Sequence, residues 1–194
     1  MKAFERLCIG QLRETAGVQD GADPIAHYLD VLSGKTGSLI ALSAWHGVTA
    51  AGGSQEDARD LAEYGERVGV AFQLADDVID LISDSALTGK TPGTDLLENV
   101  ATMPTLLLRK HQQEGTLDQD GKNILELLDS GEISAADNLN LVLDQLRSHA
   151  VVAETKQLAA QWADDALSYL ARLPEGAVKD AFSGFAHAMV QRMA

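Results

Sequence analysis

Three carboxylates, Asp76, Asp77 and Asp80, lie in the otherwise apolar run FQLADDVIDLISD, residues 72–84. On a helix Asp76 and Asp80 are four residues apart and Asp77 and Asp80 three apart, and Gln73 and Asp84 continue the same polar stripe. Phe72, Leu74, Ala75, Val78, Ile79, Leu81 and Ile82 cover most of the remaining circumference. This pattern predicts a helix inside a bundle, with its acidic stripe facing a cavity. Two carboxylates ~5 Å apart repel by roughly 1 kcal/mol in bulk water and by about 3 kcal/mol at an effective dielectric near 20. A solvated face would screen that repulsion; the apolar flanks argue for the costly setting, where a cation is needed. Oxygen ligands with no neighbouring His or Cys suit a hard ion, Mg²⁺, which takes one or two carboxylates and completes its octahedron with water and phosphate oxygens. The chemistry implied is Mg²⁺-dependent handling of a phosphorylated substrate.

Such a substrate also attracts direct cations. Lys35 in SGKTGSL and Lys90 in TGKTPGTDL both resemble a phosphate-binding loop, but the glycine required five positions before the Gly–Lys pair is Leu29 in one and Asp84 in the other. Gly34, Thr36 and Gly37 thin the surface around Lys35, and Lys90 sits on a glycine-flanked loop after the acidic helix. Taken alone, each lysine reads as a surface charge; beside the aspartates, each is a candidate phosphate ligand.

Apolar residues recur three and four apart through nearly every segment, so the chain reads as all-α. Helices are predicted over 2–17, 24–50, 54–84, 98–112, 119–130, 134–148, 150–173 and 175–193, with Asp23 and Pro24 starting the second. Gly65 and Gly69, one turn apart, allow a neighbouring helix to approach closely. Residues 85–97 form the one substantial loop. With no repeat, linker or low-complexity tract, 1–194 reads as a single domain. A net charge of −14 disfavours nucleic acid and anionic membrane surfaces as partners. No stretch suits a signal peptide or a membrane span, which points to the cytoplasm. Cys8 is the only cysteine, so an internal disulfide is excluded and a buried structural thiol is expected.

GVAFQLADDVIDLISD, preceded by YLDVLSGKTGSLIALSAWHG and followed by TGKTPGTDLLENVATMPTLLL, resembles the second aspartate-rich region of trans-prenyl (polyprenyl) diphosphate synthases. The similarity runs from CIGQLRETAG to the C-terminal YLARLPEGAVKDAFSGFAHAMVQRM. It implies an all-α bundle of the isoprenoid synthase type and Mg²⁺-dependent condensation of an allylic diphosphate with isopentenyl diphosphate, in a homo-oligomer. By the same resemblance Asp76 and Asp77 are Mg²⁺ ligands with Asp80 close by, and Asp76 acts in catalysis with Lys35 and Lys90, which contact the allylic diphosphate. Thr36, Phe72 and Gln73 line the substrate cavity, and Asp95 supports the loop after the acidic helix.

The sequence also departs from that pattern. The first aspartate-rich motif and the basic residues that hold isopentenyl diphosphate have no counterpart, so the N-terminal helices of the fold are missing and the chain alone is expected to be incomplete. The alternative is a non-catalytic or regulatory subunit of a heteromeric synthase. GQLRE places Gln11 and Glu14 where the family more often has Glu and then Gln, and Val100 stands where many members have lysine. Glu56, Asp57 and Asp60 in EDARD have the spacing of an aspartate-rich motif but follow Ser54 at a helix start, where acidic residues serve the macrodipole. Asp164 and Asp165 read as a solvated face. Trp45, Trp162, Phe182, Phe185 and Met189 read as packing residues.

Overall fold

The computed structural model describes residues 2–83 and 92–193. All regular structure among these residues is helical: α1 (Lys2–Ala16), α2 (Pro24–Leu32), α3 (Ser38–Ala50), α4 (Gln55–Ile82), α5 (Thr94–Leu97), α6 (Met103–Glu114), α7 (Gln119–Asp129), α8 (Ala136–Ser148), α9 (Ala150–Ser168) and α10 (Ala177–Gln191). The expected all-α architecture therefore holds, with helix 150–173 ending early at Ser168 and three further local differences. Helix 24–50 is continuous but contains a π-helical turn at Ser33–Gly37, closed by the Ser38 amide bonding the Ser33 carbonyl. The helix expected from residue 98 begins instead at Met103. Thr102 is extended there, its amide donates to Thr105 Oγ1 at 3.1 Å, and Pro104 sits in the first turn, a combination that starts a helix late. Finally, part of the expected loop is the short α5, opened by Gly93 at φ 74°, a left-handed conformation that side chains resist. Lys90 and Asp84 lie outside the described residues.

The chain packs as two compact units, Met1–Ala75 with Leu158–Ala194, and Asp76–Gln157. In the first, Leu61, Tyr64, Val68, Ala166, Leu170 and Ala186 form a buried cluster flanked by Phe182 and Met189. Tyr64 meets Phe182 edge to face at 5.3 Å and donates its hydroxyl to the Phe182 carbonyl at 2.7 Å. Burial pushes the Tyr64 phenol up to about 12, so the hydroxyl remains a donor throughout the physiological range. Gly65 and Gly69 do admit a close neighbour: a Cβ on Gly69 would lie 2.6 Å from Gly37 Cα, and one on Gly65 3.0 Å from Ala41 Cα. In the second unit α6 packs on α7 and α7 on α8, with Leu108, Ile124, Leu125, Val142 and Leu146 buried.

Cys8 is exposed, not buried. It falls on a stripe with Phe4 and Leu12, which are 70% and 68% exposed, so this face of α1 has no cover within the described chain. Among the described residues no helix is long and apolar enough to cross a membrane.

Candidate active site

From Tyr64 to Ile82 every residue of α4 is buried or half-buried, which is the inner position its composition requires. In the first unit, the π-helical turn carries Lys35 and Thr36. Widening a helix by one residue per turn is costly and concentrates at functional sites. What holds it here is a clamp: Arg6 makes two hydrogen bonds to Glu66 at 2.6 and 2.7 Å and a third to Ser33 Oγ at 3.0 Å, and the Ser33 hydroxyl donates to Glu66 at 2.5 Å. Burial alone would push the Glu66 carboxyl up, but the hydrogen bonds from Arg6 and Ser33 and the guanidinium charges hold it below the usual carboxylate range. A depressed folded-state value stabilises the fold above the unfolded-state value, and the contribution is lost as pH falls through the folded one. Glu66→Gln is expected to cost about 1–2 kcal/mol at neutral pH, with the difference from the parent chain shrinking at acid pH. Chemical denaturation at several pH values measures both.

Thr36 Oγ1 donates to Gln73 Oε1 at 3.1 Å, so these two expected cavity residues are in contact. Phe72, the third, lies under the Arg192 guanidinium, 4.6 Å from the ring centroid. Lys35 is engaged: its Nζ lies 2.5 Å from Glu14 Oε2, which also accepts Gln11 Nε2 at 2.8 Å.

In the second unit the three expected metal carboxylates separate by environment. Asp77 is 5% exposed and accepts the Met103 amide at 2.9 Å, holding the first turn of α6. Asp76 and Asp80 are half-buried. The Gly93 amide donates to the Asp80 carbonyl at 2.9 Å, and the Asp95 amide lies 3.4 Å from Asp80 Oδ2, so α5 is pinned beside the acidic pair. This brings in Asp95 as a further carboxylate. Burial pushes its carboxyl up first, followed by the negative charges of Asp80, Glu98 and Asp76. Among the described residues no three His, Cys, Asp or Glu side chains converge closely enough to cage a metal by themselves.

The alternative acidic motif is absorbed by structure. Asp57 accepts the Ser54 hydroxyl at 2.6 Å and returns its amide to Ser54 Oγ at 3.0 Å, while Glu56 and Asp60 pair with Arg172 at 2.5 and 3.5 Å. Asp165 is an exposed partner of Arg67. His111 pairs with Glu154, tying α6 to α9, and His149 pairs with Asp118, the cap of α7. Spacing could not reveal Glu14, Arg6, Glu66 or Arg192 as neighbours of the expected residues; their partners lie 21 to 120 positions away in the chain.

The polyprenyl synthetase family model matches residues 1–139. The chain is 37% identical over 174 residues to the nonaprenyl diphosphate synthase of Mycobacterium tuberculosis, covering 89% of this chain and 50% of the relative. It is 32% identical over 191 residues to the octaprenyl diphosphate synthase of Escherichia coli, covering 98% and 57%. The geranylgeranyl pyrophosphate synthase of Corynebacterium glutamicum, solved with calcium and isoprenyl diphosphate, superposes with a TM-score of 0.86 at 34% identity, covering 99% of this chain and 58% of that one. A polyprenyl synthase from Caulobacter crescentus, also solved with calcium and isoprenyl diphosphate, gives 0.84 at 28%, covering 100% and 57%. The chain spans about half the length of these curated relatives. With the isoprenoid synthase fold and the family's helices in order, the chain belongs to the polyprenyl synthetase family.

Proposed function

We propose that this chain supplies the second metal-binding half of a prenyl diphosphate synthase site, acting in the condensation of an allylic diphosphate with isopentenyl diphosphate. The observation that carries this is Asp95 held against Asp80, its amide 3.4 Å from Asp80 Oδ2, where burial and the negative charges of Asp80 and Asp76 make ionised Asp95 costly. A divalent cation offsets that cost. Asp76 and Asp80 are its ligands, and Asp77 acts one step back by fixing α6, a refinement of the assignment drawn from the resemblance. The residues fit Mg²⁺, which when bound supplies charge neutralisation on the diphosphate as the allylic C–O bond breaks. Lys35 binds the departing diphosphate, with Lys90 assigned to the same task. Thr36 and Gln73 position the ligand through their shared hydrogen bond, and Phe72 walls the apolar side. The reading extends to a cytoplasmic location and to self-association through the exposed apolar face of α1.

Two measurements test it. A non-hydrolysable allylic diphosphate analogue should bind only when Mg²⁺ is present; equal affinity without the metal removes the reading. A carboxyl raised by folding costs stability as pH rises through its folded-state value, so neutral pH is where Asp95 hurts and Mg²⁺ helps. Asp95→Asn should therefore raise the melting temperature by about 2 °C in metal-free buffer at neutral pH and flatten the rise that Mg²⁺ produces in the parent chain. An unchanged Mg²⁺ response returns Asp95 to a structural role.

The second reading, a non-catalytic subunit of a heteromeric synthase, draws on the chain spanning about half of its relatives. Productive ionisation needs the diphosphate held from both sides, so the isolated chain is expected to show negligible prenyl transfer. Mg²⁺-dependent binding of the allylic diphosphate analogue separates the two: a metal-binding half-site binds it, and a purely regulatory subunit does not.

A further inference from the structure

We propose that Glu14 is an internal stand-in for substrate phosphate, holding the Lys35 ammonium in place and giving it up when a diphosphate arrives. This rests on the reading of Lys35 as a diphosphate ligand and adds a residue that sets how readily that ligand is released. The geometry has three parts. Lys35 Nζ and Glu14 Oε2 are 2.5 Å apart, a full charge-assisted contact. The backbone beneath them is set: α1 packs on the π-helical turn so closely that a Cβ on Gly10 would lie 3.1 Å from Gly34 C and from Lys35 N, and Arg6 bridges Ser33 and Glu66 on the same side. The pair is also accessible, with side-chain exposures of 31% for Lys35 and 38% for Glu14, so a phosphate oxygen can replace the carboxylate while Glu14 turns to water.

The contact works in two opposing ways. It orients the lysine before substrate binds, which spares side-chain ordering later. It also makes every anionic ligand compete with a tethered one, and in half-exposed pairs this competition is modest. The net sign is a penalty on binding. Glu14 therefore filters ligands: a group carrying one weak negative charge displaces it poorly, whereas a diphosphate brings several oxygens and the accompanying Mg²⁺. Gln11 strengthens the resting arrangement by donating to the same Glu14 oxygen at 2.8 Å.

Calorimetric titration with inorganic pyrophosphate at saturating Mg²⁺ tests this on the chain as it exists. Glu14→Gln should bind about 3- to 5-fold more tightly than the parent, the range expected for releasing one exposed ion pair. Lys35→Ala should bind more weakly, and in that background Glu14→Gln should add nothing. Glu14→Asp, which keeps the charge but shortens its reach, should also tighten binding. An equal gain with and without Lys35 would mean that Glu14 acts only through the general field of one negative charge, and would overturn the proposal; so would no gain in either carboxylate variant when circular dichroism shows both folded. Pyrophosphate binding that requires Asp76 and Mg²⁺ but ignores Lys35 overturns this inference alone. No binding by any of these chains, the parent included, overturns the functional reading and this inference with it.

Discussion

Replacing Asp76 by asparagine is expected to weaken Mg²⁺-dependent binding of an allylic diphosphate analogue about 100-fold, equivalent to about 2.7 kcal/mol. This follows from its place near Asp80 and Asp95 at the end of α4. Asp77→Ala should act first on stability. It strands the buried Met103 amide, and losing that partner costs about 1–3 kcal/mol. Calorimetry with and without Mg²⁺, run beside thermal melts, distinguishes the pair. Unaltered affinity in Asp76→Asn, or an Asp77→Ala chain that melts like its parent, would break the division of labour between the two neighbours.

Gly69→Ala should be the most damaging small substitution in the first unit. Alanine is the better helix former by about 1 kcal/mol, and at a helix position with open space that advantage is realised. At Gly69 it is overwhelmed, because the new methyl would sit 2.6 Å from Gly37 Cα and 2.9 Å from Gly37 N, both backbone atoms that cannot rotate away. Overpacking of this kind costs about 1–3 kcal/mol, which in a domain of this size lowers the melting temperature by about 2–4 °C per kcal/mol. The helices must part at the π-helical turn, and the Thr36–Gln73 hydrogen bond should stretch with them. Gly47→Ala is the control: it lies in α3, a Cβ there meets nothing within 4 Å, and the chain should gain about 0.5–1 kcal/mol. If both glycine variants melt alike, close helix approach is not what Gly69 provides.

Apolar spacing by itself determined that this chain is helical and that α4 lies inside, because a 3.6-residue period leaves no other way to bury Leu74, Val78 and Leu81 together. Local chemistry was equally legible. Ser54 and Asp57 cap a helix because their reach spans three residues, and Gly65 and Gly69 mark a close crossing because they remove side chains from one face. The acidic stripe was readable for the same reason.

Tertiary structure decided what each member of the stripe meets. Asp76 and Asp77 are adjacent and chemically identical, and only the arrival of the Met103 amide, 26 positions on, sends Asp77 to anchor α6. Asp95 joins the cluster because backbone bonds to Asp80 fold α5 back against it. Lys35 meets Glu14, and Phe72 meets Arg192, through contacts between helices far apart in sequence, and the π-helical turn exists where Arg6 and Glu66 hold Ser33. Cys8 is exposed for a related reason: whether an apolar stripe is core depends on a neighbour, and along the Phe4–Leu12 face of α1 the described chain provides none. Periodicity specifies that a face must be covered; the partner that covers it, and therefore the chemistry of each residue upon it, is set only when distant segments meet.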